Sequence, residues 1–192
     1  MLEASSEDIN ARIAARVCAL RAELGLSLEA LAGKCAVSRS MLSLVERGEA
    51  SATAVVLEKI ATGLGVSLAS LFEPLAAASP VSRGKDRAHW RDPQSGYVRR
   101  NISPNHPSPI QLVEVTMPAG ASVAYETGAR EPMIHQQVWV QEGAIEVSVG
   151  GETHRLQADD CLAMKLDAPV AFRNRTKKAA RYIVALASGG RR

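Results

Sequence analysis

The sequence predicts an α + β chain of two domains, a helical bundle over residues 1–74 and an all-β domain over residues 83–192, joined by a linker at 75–82. Three observations carry this reading. Up to Phe72, apolar residues recur at steps of three or four, the period of helices with one buried face. Past Pro74 and the small-residue stretch LAAASPVS, apolar residues alternate, and Gly, Pro and Asn punctuate the chain, as in short strands joined by turns. Within the helical region, SLEALAGKCAVSRSMLSLVERGE (27–49) reads as two short helices around a tight turn.

The elements follow in order. Ile9, Ile13, Val17, Leu20 and Leu24 mark an amphipathic first helix that Gly25 ends. Ser27 and Ser38 each stand before a helical run, where a hydroxyl can cap free backbone N–H groups. Leu28, Leu31 and Ala32 form the apolar face of the second helix, and Val37, Leu42 and Val45 that of the third, which Gly48 closes. Thr53 opens a fourth helix with Leu57, Ile60, Ala61 and Leu64 inside, stopping near Gly63 or Gly65. Ser67 caps a fifth, Leu68 to Phe72, closed by Pro74. Strands are expected at 110–117, 136–141, 145–149, 161–165, 170–173 and 181–186, with turns at PAG, EG, GGE, ADD, LDAP and NRTKKA. Closely spaced short strands without a helical period indicate a sandwich or barrel.

The outward positions of the third helix are Ser38, Arg39, Ser40, Ser43 and Arg47. Hydroxyls and guanidiniums suit phosphates and base edges. A helix with such a face, braced by another behind it, is the helix-turn-helix route into a major groove. On LGLS, VSRSMLS and ERGE in this order, residues 9–72 resemble the DNA-binding domain of the phage-repressor and Cro class, the XRE family, a five-helix bundle. The resemblance implies a double-stranded DNA operator as partner. It gives the DNA-facing set as Ser27, Leu28, Ser38, Arg39, Ser40, Ser43, Leu44 and Arg47, and it places Arg21 and Glu46 in a structural ion pair between helices one and three. Leu28 departs from the family pattern, which often has glutamine there. Base reading therefore falls on Arg39, Ser40 and Leu44.

A second resemblance covers roughly residues 96–188. Trp139, Val140, Glu142, Gly143, Asp160, Pro169 and Asn174 follow the pattern of the cupin core, a double-stranded β-helix of the jelly-roll kind. Metal-binding cupins carry two histidines and a glutamate in the first motif and a histidine in the second. Here the matching positions fall near Arg130 and Pro132, on Gln136 and on Val170. No metal or other cofactor is expected; His135, one residue out of step, is the ligand if any is present. A barrel interior can hold one small ligand, and the expected effector pocket is Tyr125, Arg130, Gln136, Val138, Met164, Val170 and Phe172, with Gln136 as a polar anchor. Trp139 is expected to face the other way, toward a partner subunit or solvent.

Composition bounds the rest. At 192 residues and 46% hydrophobic content the chain is globular. No run reaches the roughly 20 apolar residues of a membrane span, and MLEASSEDINARIAAR lacks the basic start and apolar core of a signal peptide; a cytoplasmic location and no membrane partner are expected. Cys18, Cys35 and Cys161 are odd in number and widely spaced, which indicates neither a disulfide framework nor a zinc knuckle. Residues 1–74 hold seven Lys and Arg against nine Asp and Glu. This counts against indiscriminate coating of nucleic acid but not against one specific site. The expectation is a DNA-binding transcription regulator, not an enzyme, whose β domain binds a small-molecule effector and helps form a homodimer. The alternatives are a cupin isomerase or oxygenase fused to a DNA-binding domain, and an antitoxin-like module that binds DNA and a partner protein.

Overall fold

The computed structural model describes residues 4–73, 75, 79–128 and 133–188, with no account of the side chains of 4–8 and 188. Four α-helices come first among the described residues: α1 (Ala4–Glu23), α2 (Leu28–Cys35), α3 (Arg39–Glu46) and α4 (Ala54–Gly63). The expected fifth helix is instead a 3-10 helix, Leu68–Phe72. At five residues it is too short for more than one α-turn, and Ser67 Oγ accepts from Ser70 N at 3.2 Å, tightening its start. Ser27, Ser38 and Thr53 do the same for α2, α3 and α4, accepting from Ala30, Met41 and Val56 N. Leu31, Leu42, Leu57, Ile60 and Leu71 are fully buried where these helices meet. At Gly63 a Cβ would come within 2.8 Å of the Cys35 Cβ, so glycine lets α4 lie directly on α2.

Ten strands follow among the described residues: β1 (His89–Arg91), β2 (Val98–Asn101), β3 (Ile110–Met117), β4 (Ser122–Tyr125), β5 (Ile134–Glu142), β6 (Ala144–Val149), β7 (Glu152–Gln157), β8 (Cys161–Lys165), β9 (Val170–Arg173) and β10 (Ala180–Ser188). They form two antiparallel sheets, ordered β1-β2-β3-β10-β5-β8 and β4-β9-β6-β7. The two sheets enclose one core, the jelly-roll sandwich of a cupin. In β5 burial alternates strictly, with Ile134, Gln136, Val138 and Val140 inward and His135, Gln137 and Trp139 outward. Gly143 turns the chain from β5 to β6 at φ 77°, where a Cβ would meet the Ala179 carbonyl oxygen at 2.9 Å. Asn174 is wholly buried; its amide donates to the Met117 and Lys178 carbonyls, and its Oδ1 accepts from Thr176 N and Oγ1.

The helical bundle is packed onto the β domain. Phe72 lies edge-on to Trp90 at 5.5 Å, and Trp90 edge-on to Tyr97 at 5.9 Å. Around this aromatic seam runs a polar rim. Arg16 donates to Glu73 at 3.1 Å, Gln111 donates to Glu73 Oε1 at 2.5 Å, and Asn101 Nδ2 donates to the Ala69 carbonyl at 3.0 Å. Asp92, 2% exposed, reaches across from the β domain and accepts from Ala54 N at 2.8 Å, in the first turn of α4.

Candidate functional site

The DNA-facing candidates cluster because α2 and α3 meet at a tight corner. Ala36 ends α2 in the left-handed region at φ 50°, and its N–H returns to the Ala32 carbonyl. The corner sets α3 across α2 with Leu42 and Val45 buried beneath it. Ser27, Ser38, Arg39, Ser40 and Arg47 are exposed, while Leu28, Ser43 and Leu44 are half-buried. Leu28 packs against the core, which limits what it can offer to a groove. The capping hydroxyls of Ser27 and Ser38 accept from Ala30 and Met41 N, and Ser38 Oγ also shares a hydrogen bond with Ser40 Oγ at 3.2 Å; the Ser27 hydroxyl still has its proton to donate. Arg39, with its side chain 69% exposed, lies 3.5 Å from Glu29, and Arg47 lies 2.8 Å from Glu49 and donates to Ser43 Oγ. Such exposed pairs are weak, so both guanidiniums can exchange their carboxylates for phosphates or guanine edges.

Behind this face, Arg21 Nε donates to Glu46 Oε1 at 2.6 Å and Nη2 to Oε2 at 2.9 Å, while Nη1 reaches the Leu26 carbonyl. The bidentate pair ties α1 to α3 and fixes the angle of the exposed helix. The hydrogen bond that Arg21 donates to Glu46 raises the Arg21 pKa, and burial raises those of the Cys18 and Cys35 thiols.

The β domain holds a cavity of about 80 Å³ between its sheets. Tyr125, Gln136, Val170 and Phe172 line it, as do Tyr97, Arg99 and Tyr182. Two expected members stand elsewhere. Val138 points inward but lies further along β5, closed over by the core at 0% exposure. Met164 is opposite Gln136 in the β5–β8 register and packs half-buried against the core, but on the edge strand of its sheet it is not among the residues that line the cavity. Arg130 lies outside the described residues. The donor set does not fit the cupin metal: Gln136 offers an amide, Val170 no donor, and His135 points outward from β5. Among the described residues no group of three or more His, Cys, Asp or Glu comes together.

The cavity is not closed by the β domain alone. Glu58 of α4 and Ser67 and Leu68 of the 3-10 helix also line it. Sequence patterns miss these because the signal is interdomain packing, which periodicity does not encode. Tyr182 was within reach: it alternates with Val184 and Leu186 on one face of β10. Tyr97 and Arg99 sit two apart around the start of β2, a strand too short to stand out.

A braced, exposed α3 joined to a jelly roll with an internal cavity defines a helix-turn-helix protein with a cupin domain. The family model described as "Helix-turn-helix" matches residues 19–71, and that described as "Cupin domain" matches residues 113–186. The chain is 30% identical over 156 residues, 81% of this chain and 83% of the relative, to the HTH-type transcriptional regulator SutR of Escherichia coli (strain K12). It is also similar to an HTH_3 family transcriptional regulator from Vibrio cholerae, with 26% identity, a TM-score of 0.76, and coverage of 96% of this chain and 99% of that one. The chain belongs to the XRE-type helix-turn-helix transcriptional regulators that carry a cupin domain. Among the described residues, no helix is long and apolar enough to cross a membrane.

Proposed function

We propose that this regulator binds a specific, two-fold related operator as a homodimer, and that a small-molecule effector in the cupin cavity changes its affinity for that operator. The observation that carries the DNA reading is the exposed α3 face, on which Ser38, Arg39, Ser40 and Arg47 stand free of the core. One such helix reads too few bases to find a site among many competitors, so paired heads are expected. The surface proposed for pairing is the outer face of β5, β8 and β10. Trp139, 48% exposed, lies there between its cross-strand neighbours Cys161 and Ile183. The proposed role is regulatory rather than enzymatic, supported by relatives named as regulators, and the proposed location is the cytoplasm.

The test is enrichment of random-sequence duplex DNA by the full-length protein, with sedimentation of the Trp139→Glu variant alongside. The proposal expects a palindromic consensus with half-sites about one helical turn apart, and a shift of the variant toward monomer. Enrichment of no consensus sinks the operator reading. A variant that sediments as the wild type moves the dimer contact off this face.

A further inference from the structure

One amide in the cavity has no use inside the protein. Gln136 points inward from β5, is 7% exposed and lines the cavity. Its side-chain amide makes no hydrogen bond to any described residue, and neither amide atom is sealed off by the protein around it. The other polar groups near it are differently placed. The Tyr97 and Tyr125 hydroxyls serve each other at 2.9 Å, and Thr127 donates to the Ala168 carbonyl. Glu58 is engaged in an interaction of its own, and Arg99 lies over the Phe72 ring with its Nε closed in. Tyr182, whose hydroxyl is also unpaired among the described residues, stands two inward positions along β10, past Val184. The immediate surroundings of Gln136 are therefore aliphatic: Ile134 on its own strand, Leu186 opposite it and Val184 diagonal to it, all lining the cavity. A buried amide without a partner costs stability that an apolar side chain at the same place would not. Only water or a ligand can serve it, and a ligand that displaces water must return the same bonds.

Resting on the effector reading above, we propose that the cavity takes a small primary amide, its amide group paired with that of Gln136 and its short chain against Ile134, Val184 and Leu186. A glutamine side chain carries a donor and an acceptor side by side in one plane. A second planar amide satisfies both at once, its N–H donating to Oε1 and its carbonyl accepting from Nε2. A ketone accepts only and leaves Oε1 unpaired, and a carboxylate brings no donor and buries a charge opposite Oε1. Size agrees with a short chain. At about 80 Å³, the space is roughly half that of an apolar cavity of about 150 Å³ that admits benzene, which suits about four or five non-hydrogen atoms. The bundle takes part in the same site. Ser67 and Leu68 of its 3-10 helix line the cavity. Ser67 donates to Gln111 at 2.5 Å, and Gln111 pairs with Leu186, the cross-strand neighbour of Gln136. A ligand beside Gln136 thus occupies a space walled by both domains and binds their docked arrangement better than an undocked one, which is what coupling to the DNA-binding head requires.

The test is titration calorimetry of the full-length protein with propionamide and with its near-isosteres butanone and propionate. Propionamide should bind at least about tenfold more tightly than either, since only it returns both bonds to Gln136. Gln136→Leu should weaken propionamide at least about tenfold and leave butanone within about threefold of wild type. Without ligand the same variant should have a Tm no lower than wild type, because the amide it loses has no protein partner. A lower Tm makes Gln136 a structural residue and overturns the anchor. Equal binding of butanone overturns the amide assignment, and tighter binding of propionate replaces it with an anion site. No propionamide binding up to about 10 mM, on the order of the weakest useful affinity, overturns it too. Propionamide should also change the affinity for the duplex enriched by the full-length protein. If it binds through Gln136 and that affinity does not change, the amide site stands and the effector reading is overturned. If a molecule of another class fills the cavity and shifts that affinity while propionamide does not bind, the effector reading stands and the amide site is overturned.

Discussion

Asp92 holds the two domains together at one point, and its removal has a size that the structure fixes. One carboxylate oxygen accepts from Ala54 N at 2.8 Å; the other accepts from Ser95 N at 2.7 Å and Ser95 Oγ at 2.6 Å. The residue is 2% exposed. In Asp92→Ala the Ala54 N–H loses its partner in a buried seam, at about 1–3 kcal/mol. The negative charge at the N-terminus of α4 is lost as well, at about 0.3–1 kcal/mol. The Ser95 groups are half-buried and recover water, so they add little. The expected loss is about 1–4 kcal/mol, which for a chain of this size lowers Tm by roughly 3–15 °C. Asp92→Asn keeps an acceptor and should lose about 1 kcal/mol. Urea and thermal unfolding of the full-length protein measure both, and in Asp92→Ala the helical bundle should melt before the β domain. A loss under about 0.5 kcal/mol in Asp92→Ala, or an equal loss in both variants, would refute the reasoning that a charged cross-domain cap holds α4.

Three further outcomes follow from the bundle. Ala36→Gly should raise stability by about 0.5–1 kcal/mol, because a left-handed alanine at φ 50° is strained by about 1–2 kcal/mol and glycine returns part of that as chain entropy; a lower urea midpoint would contradict it. Arg21→Met should lower stability by about 2–3 kcal/mol, since it leaves the Glu46 carboxylate unpaired between α1 and α3, and a midpoint within error of wild type would mean that Glu46 is solvated without it. Arg39→Ala should weaken the enriched duplex by about tenfold to a hundredfold if it pairs with guanine; an equal loss on random DNA would make it a phosphate contact.

Legibility in the sequence tracked how much of each element is decided locally. Strands Ile110–Met117, Cys161–Lys165 and Val170–Arg173 stand where alternation places them. Glu152–Gln157 does not announce itself because Leu156 is its one buried side chain, and its pairing to β6 is a matter of the hairpin. His89–Arg91 and Ser122–Tyr125 are too short for a period to emerge. The helix boundaries were readable because Ser27, Ser38 and Thr53 cap them by a local hydroxyl bond. The cavity was half readable. Gln136 and Phe172 follow from alternation on their own strands, but Glu58 and Arg99 line one cavity only because the bundle docks on the β domain. The same docking puts the two domains in direct contact through Phe72, Asp92 and Gln111, which no local pattern in the sequence announces.

The central claim, that α3 reads an operator from two symmetric heads, is tested most directly by methylation interference on the duplex enriched by the full-length protein. The account predicts that methylating major-groove guanines blocks binding in two patches, related by a two-fold axis and about one helical turn apart. Interference confined to minor-groove adenines, or spread evenly along the duplex, would contradict it.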